Sequence, residues 1–122
     1  MIGSGVEELR EPPVRAIDSV GEAVVVHLRG ELDLHNCDDV RTALTSVAES
    51  GPERVVVDLE EVDFIDSTAL GALVESRKLL RPAAPLLLAA PQQEARRALE
   101  VSGLADSLGI HETVEEALAA PT

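Results

Sequence analysis

Arg54-Val55-Val56-Val57-Asp58-Leu59, followed shortly by Val62-Asp63-Phe64-Ile65-Asp66-Ser67-Thr68-Ala69-Leu70-Gly71, carries the decision about fold in this sequence. A near-continuous apolar, β-branched run of that length fits a strand covered on both faces. The second stretch changes character at Asp66. Asp66 stands where a helix N-cap is expected, Ser67 and Thr68 fill the first turn, and Leu70, Leu73 and Val74 recur at helical spacing. A helix is therefore expected from about Thr68 to Leu80, ended by Arg81-Pro82, because the residue before proline disfavours the helical region.

Working outward, the same alternation repeats. Upstream, Val24-Val25-Val26-His27-Leu28 is a second strand, and Val14 to Asp18 is an earlier one, joined to it by a turn at Val20-Gly21-Glu22. Between this pair and Arg54, Val40, Leu44 and Val47 recur at i, i+4, i+7, which predicts an amphipathic helix over Cys37–Glu49. Asn36 is its expected N-cap and Gly51-Pro52 its stop. Downstream come a short strand at Leu86-Leu87-Leu88, a helix from Gln92 to Ser102 with Leu99 inside and Gly103 as C-terminal cap, and a short helix from about Val114 to Ala119. Strands alternating with helices predict an α/β domain: a small, mixed, mostly parallel sheet packed with about four helices. Met1 to Pro13, with Gly3, Ser4, Gly5 and Pro12-Pro13, is expected to be a flexible tail, and residues 14–120 the folded domain.

Composition narrows the function. The chain has 122 residues, enough for one domain whose core needs no disulfide or metal. Phe64 is the sole aromatic residue, which all but excludes base-stacking recognition of single-stranded nucleic acid. Ten basic residues against 23 acidic ones give a formal charge of −13, which repels phosphate backbones and anionic lipid surfaces. The chain has neither the roughly 18 uninterrupted apolar residues of a membrane span nor a signal-peptide pattern at its start. The single Cys37 suits a reducing compartment, so a cytoplasmic location is expected.

Enzymatic constellations are missing by inventory. His27, His35 and His111 are widely spaced and Cys37 is alone, so no metal site is expected. Lys78 is the only lysine and follows no glycine-rich phosphate loop, and no G-x-S-x-G elbow occurs. His27 within an apolar strand reads as a satisfied core or edge histidine, His111 as surface, and Cys37 as a small inert thiol, while His35 lies in a loop near carboxylates. No cofactor and no catalytic activity are expected.

Two places stand out. Asp66-Ser67-Thr68 reads either as simple helix capping or as a phosphate-tolerant site, since free backbone N–H groups and the helix dipole favour negative charge at an N-terminus. Gly30-Glu31-Leu32-Asp33 reads either as a solvated acidic turn or as part of a binding edge. In the expected sheet both segments leave neighbouring strands on the same edge, where open α/β sheets bind their ligands.

These segments, with Val101-Ser102-Gly103-Leu104 further on, resemble the STAS domains, named for sulfate transporters and anti-sigma factor antagonists. The resemblance covers residues 14 to 120 and is strongest toward the small, free-standing bacterial antagonists. It implies the STAS fold and a role in regulating transcription by partner switching. It further implies that Ser67 is phosphorylated by an anti-sigma factor that is also an ATP-dependent serine kinase. The unphosphorylated form would bind that anti-sigma factor and release a sigma factor, and a serine phosphatase would reset the cycle. Thr68 is a weaker candidate acceptor. Glu31, Asp33, Asp66, Ser67, Thr68 and Ala69 would form the partner surface. Ala69 departs from the family's usual glycine and adds a methyl where the partner backbone would approach. The competing expectation is a phosphorylation-independent STAS binding module, sensing a small molecule or nucleotide or serving as a subunit of a transport or signalling complex.

Overall fold

The central pair of strands is built from the two valine-rich runs. In the computed structural model, which describes residues 10–121, β2 spans Ala23–Leu32 and β3 spans Arg54–Ile65, and the two run parallel with Val25 opposite Val56 and Val26 opposite Val57. β1 (Val14–Val20) pairs antiparallel with β2 through the Gly21 turn, as expected. β4 (Leu86–Ala89) and β5 (Gly109–His111) continue the parallel side, giving a five-stranded sheet in the order β1-β2-β3-β4-β5.

Alternation along the strands sends side chains to two covered faces. On one face Val26, Leu28 and Leu32 of β2 and Val55, Val57, Leu59, Val62 and Ile65 of β3 meet three helices. These are α1 (Cys37–Glu49), α2 (Ser67–Arg77) and α3 (Gln93–Ser102). α1 contributes Val40, Leu44 and Val47, α2 contributes Leu70 and Leu73, and α3 contributes Ala95 and Leu99. Each fully buried leucine or valine contributes about 1.5–3 kcal/mol by leaving water. A single-turn helix, α4 (Leu104–Ser107), precedes β5. On the other face α5 (Val114–Ala119) lays Ala117 and Leu118 over Val25, Val56 and Leu87. Arg54 of β3 fixes that helix by donating to the carbonyls of Ala117 (2.6 Å) and Ala120 (2.7 Å).

The expected α/β architecture is therefore present, with differences at element ends. β2 continues past Leu28 to Leu32, so Gly30, Glu31 and Leu32 of the expected acidic turn are strand, and β3 continues past Leu59 to Ile65, carrying it to the edge of Asp66-Ser67-Thr68. α2 ends at Arg77, before a turn that reaches Leu80. Gly51 and Gly103 stop α1 and α3 with positive φ angles, as their positions implied. Arg10 to Pro13, read above as part of the tail, lie instead against the sheet edge. The Pro13 carbonyl accepts from the Arg29 amide (2.9 Å), and the Pro12 carbonyl accepts from the Arg29 side chain (2.9 Å). The remainder of the expected tail, residues 1–9, lies outside the described residues.

Candidate functional site

At the carboxyl ends of β2 and β3 the two unusual segments meet. Leu32 pairs with Ile65, and the Asp66 amide donates to the Leu32 carbonyl (3.0 Å), so the acidic turn and the start of α2 leave the sheet side by side. Asp66 is the N-cap of α2: one carboxylate oxygen accepts from the Ala69 amide (2.9 Å). Its other oxygen accepts from the Leu34 amide (3.1 Å), which ties the neighbouring loop to the helix start. One side chain thus positions both halves of the site.

The acidic turn is held just as firmly. Gly30 has φ +74, and the strand register shifts between Gly30 and Glu31, so the ladder bulges there, leaving Glu31 exposed and Leu32 buried. Asn36 does not cap α1 with its side chain, contrary to expectation. Its amide nitrogen donates to the Glu31 carbonyl (2.8 Å) and its oxygen accepts from the Asp33 amide (2.9 Å), so it braces the turn instead. Asp33 accepts from the His35 amide (3.0 Å) and from Arg10 (3.2 Å), and Arg10 also donates to the Glu31 carbonyl. Burial works to raise the Asp33 pKa, but Arg10 and the backbone amides of His35 and Asn36 outweigh it and hold the carboxyl below its ordinary range.

Ser67 is exposed at the first turn of α2, and no hydrogen bond to a described residue engages its hydroxyl. Thr68 is half-buried. Ala69 is 2% exposed and belongs to the core, which corrects its expected place on the partner surface: the third position of the helix faces the sheet. Two side chains the sequence reading left out of the site flank it. Leu34 is 65% exposed, and Phe64, in register with Glu31, is 43% exposed. Phe64 had a signal in the sequence, as the sole aromatic residue, two positions before Asp66; Leu34 had none. A polar cleft of about 440 Å³ opens beside the turn, between Arg10, Arg29, Glu31 and Asp63. Its two arginines are already paired, with Asp33 and Glu11.

Elsewhere the histidines and the cysteine fall in structural settings. His27 lies between the buried Asp58 (Nδ1, 2.6 Å) and Asp18 (Nε2, 2.9 Å), with Arg15 bridging Asp58 and Glu61. His35 is exposed, and His111 is half-buried rather than fully on the surface. Cys37 is buried and its thiol faces the Leu34 carbonyl (3.7 Å). Among the described residues no group of His, Cys, Asp or Glu is arranged to hold a metal ion, and no helix is long and apolar enough to cross a membrane.

The STAS domain family profile matches residues 11–117. This chain belongs to the STAS domain family. Among its relatives, the anti-sigma-F factor antagonist RsfA of Mycobacterium tuberculosis is 32% identical over 102 residues, covering 80% of this STAS chain and 79% of that protein. An anti-sigma-B factor antagonist of Staphylococcus aureus is 31% identical over 91 residues, covering 74% of this chain and 84% of its own. The solved structure of the anti-sigma factor antagonist SpoIIAA in its unphosphorylated form superposes with a TM-score of 0.71 at 25% identity, over 84% of this STAS domain and 91% of that chain. SpoIIAA of Bacillus in its phosphorylated form gives 0.64 at the same identity, over 84% and 95%.

Proposed function

We propose that this protein is an anti-sigma factor antagonist switched by phosphorylation of Ser67. In the unphosphorylated state it binds an anti-sigma factor that is also a serine kinase and thereby frees a sigma factor. The observation that carries the reading is the exposed, unengaged Ser67 hydroxyl at the positive end of α2, in a chain whose relatives are named anti-sigma factor antagonists. The surface offered to the partner is formed by Glu31, Asp33, Asp66, Ser67 and Thr68, with Leu34 and Phe64 as apolar anchors. The protein acts in the cytoplasm, where sigma factors and ATP are found, and it is not itself an enzyme.

The Ser67 oxygen attacks the γ-phosphorus of an ATP held, with its metal, by the kinase. ADP departs, and the hydroxyl proton passes to a base on the kinase, because both oxygens of Asp66 already accept backbone amides. The acceptor contributes position. The product adds a charge of roughly −1.5 to −2. Within the domain the helix dipole favours that charge. At the interface it must be desolvated beside Glu31 and Asp33, which opposes docking. That SpoIIAA structures of both phosphorylation states superpose on this chain supports a switch without refolding. A serine phosphatase returns the protein to its binding state.

The test uses the purified chain, the anti-sigma factors of the same organism and ATP with magnesium. Intact mass should show one added phosphate, mapped to Ser67 and lost in Ser67→Ala. By calorimetry, Ser67→Ala should bind as the parent does, and Ser67→Glu at least about tenfold more weakly. Equal binding by all three proteins removes the switch. Binding without phosphorylation by any of these kinases would favour the phosphorylation-independent module, for which the polar cleft beside Glu31 offers a pocket next to the site.

A further inference from the structure

The basic residues of this acidic chain are distributed unevenly. Arg10, Arg15, Arg29, Arg41 and Arg96 each pair with a carboxylate. Arg54 is taken up by the α5 carbonyls. Arg77 and Lys78, exposed at the end of α2, have no carboxylate partner among the described residues, nor has the exposed Arg97 on α3, and Arg81 donates only to the Pro52 carbonyl (3.3 Å). The three cations Arg77, Lys78 and Arg81 stand within five positions of one another, in a chain with a formal charge of −13. The helix dipole accounts for a cation in the last turn of α2, but not for Arg81 beyond it.

They also share a groove. A cavity of about 620 Å³ runs between the end of α2, the Arg81–Pro85 turn and the start of β4 and β5, and the three cations form one rim. Its floor is apolar, made by Val74, Leu80, Ala84, Pro85 and Leu87. Leu79, next to Lys78, is 50% exposed. The groove lies at the opposite end of α2 from Ser67. The helix has 11 residues, so at 1.5 Å per residue the two ends stand about 16 Å apart.

We propose that this groove docks a short acidic, amphipathic segment of a protein partner, carboxylates on the cationic rim and apolar side chains on the floor. Charge complementarity selects the occupant: the rim is the one place where several unpaired cations gather among the described residues. The acidity of the rest of the surface rejects an extended polyanion such as nucleic acid. The segment binds independently of the Ser67 edge, so a ternary complex is sterically open, and the inference does not rest on phosphorylation.

The probe is a fluorescein-labelled dodecapeptide of glutamate and leucine with the leucines at i, i+3, i+4 and i+7. Controls replace leucine by serine or glutamate by lysine. Anisotropy should show saturable binding of the glutamate–leucine peptide that weakens with added salt, and at least about tenfold weaker binding of both controls. Amide shifts in the ¹⁵N-labelled protein should gather at Val74, Arg77 to Leu80, Leu87 and Gly109, leaving Glu31 to Asp33 and Ser67 unmoved. Arg77→Glu/Lys78→Glu/Arg81→Glu should abolish binding while its spectrum stays dispersed. Arg81→Gln, outside the helix, should weaken binding without touching α2. No binding up to millimolar peptide, equal binding of the serine control, shifts centred on Ser67, or full displacement by inorganic phosphate would each overturn the proposal.

Discussion

Asp66 and Asp33 show how single residues organise the site. Each carboxylate accepts from two donors that belong to different pieces of chain, so each works as a joint between a loop and its neighbour. For Asp33 the joint has a consequence for pH. Its carboxyl is held below the usual range in the fold, against a value of about 3.9 in the unfolded chain. A lowered folded value stabilises the fold above the unfolded value, and that contribution disappears as pH falls through the folded one. Arg10→Ala removes the main attractive partner. It should therefore lower the melting temperature at pH 7, and the gap from the parent should close as the solution is acidified below the ordinary aspartate range. Melts followed by circular dichroism at neutral and acid pH check this; a gap that is constant with pH would show that Arg10 acts through packing alone. At this scale Asp66 and Ser67 were legible, because a capping residue before an apolar helical pattern has a local signal. The bracing role of Asn36 was not, because its side chain chooses between the helix end and the turn only once Glu31 is brought close. The inward direction of Ala69 was equally hidden: it depends on how α2 is rotated against the sheet.

Among the elements, those with an apolar pattern were readable even when short, as β4 and α5 were, and those without one were not. β3 and α1 declared themselves through runs of valine and a regular helical stripe. β5, only Gly109-Ile110-His111, has no pattern of its own and becomes a strand because β4 offers it an unpaired edge. The bulge opposite the end of β2, where Asp63 of β3 is the extra residue, was likewise invisible, since it is a matter of register between the two strands. Gly30 sits there with φ +74, and a Cβ at that position would meet nothing within 4 Å. Gly30→Ala should thus cost backbone strain without a clash, roughly 1–2 kcal/mol. Urea unfolding measures it; no loss of stability would show that the bulge tolerates a side chain. If the strain is relieved by moving the turn, the same variant should also weaken anti-sigma factor binding, because Glu31 and Asp33 follow it directly.

For the whole molecule, charge is the dominant property. A formal charge of −13 on 122 residues means that acidic groups repel one another across the surface, while most of the ion pairs are at least partly exposed and each contributes little. Screening should therefore relieve more than it removes. The melting temperature should rise as sodium chloride is increased from low concentration toward roughly 1 M, where the Debye length is about 3 Å. A fall instead would mean that the exposed pairs carry more of the stability than their setting implies. The α/β class followed from alternation of patterns along the chain; acidity and the absence of catalytic constellations only narrowed the function, whose class came from the resemblance to STAS domains. What composition could not reveal was the sorting of cations, most tied to carboxylates or carbonyls and a few gathered at one groove.

β1 sits at the margin of the sheet with few of its side chains covered, and Asp18–His27–Asp58 runs from it across β2 to β3, with Arg15 reaching back to the same aspartate. The hairpin is thus latched by polar links where its neighbours are glued by oil. Losing that latch would let the margin fray while the three-helix side kept its shape, so the two halves of the sheet would keep separate clocks for exchanging their amide protons with solvent.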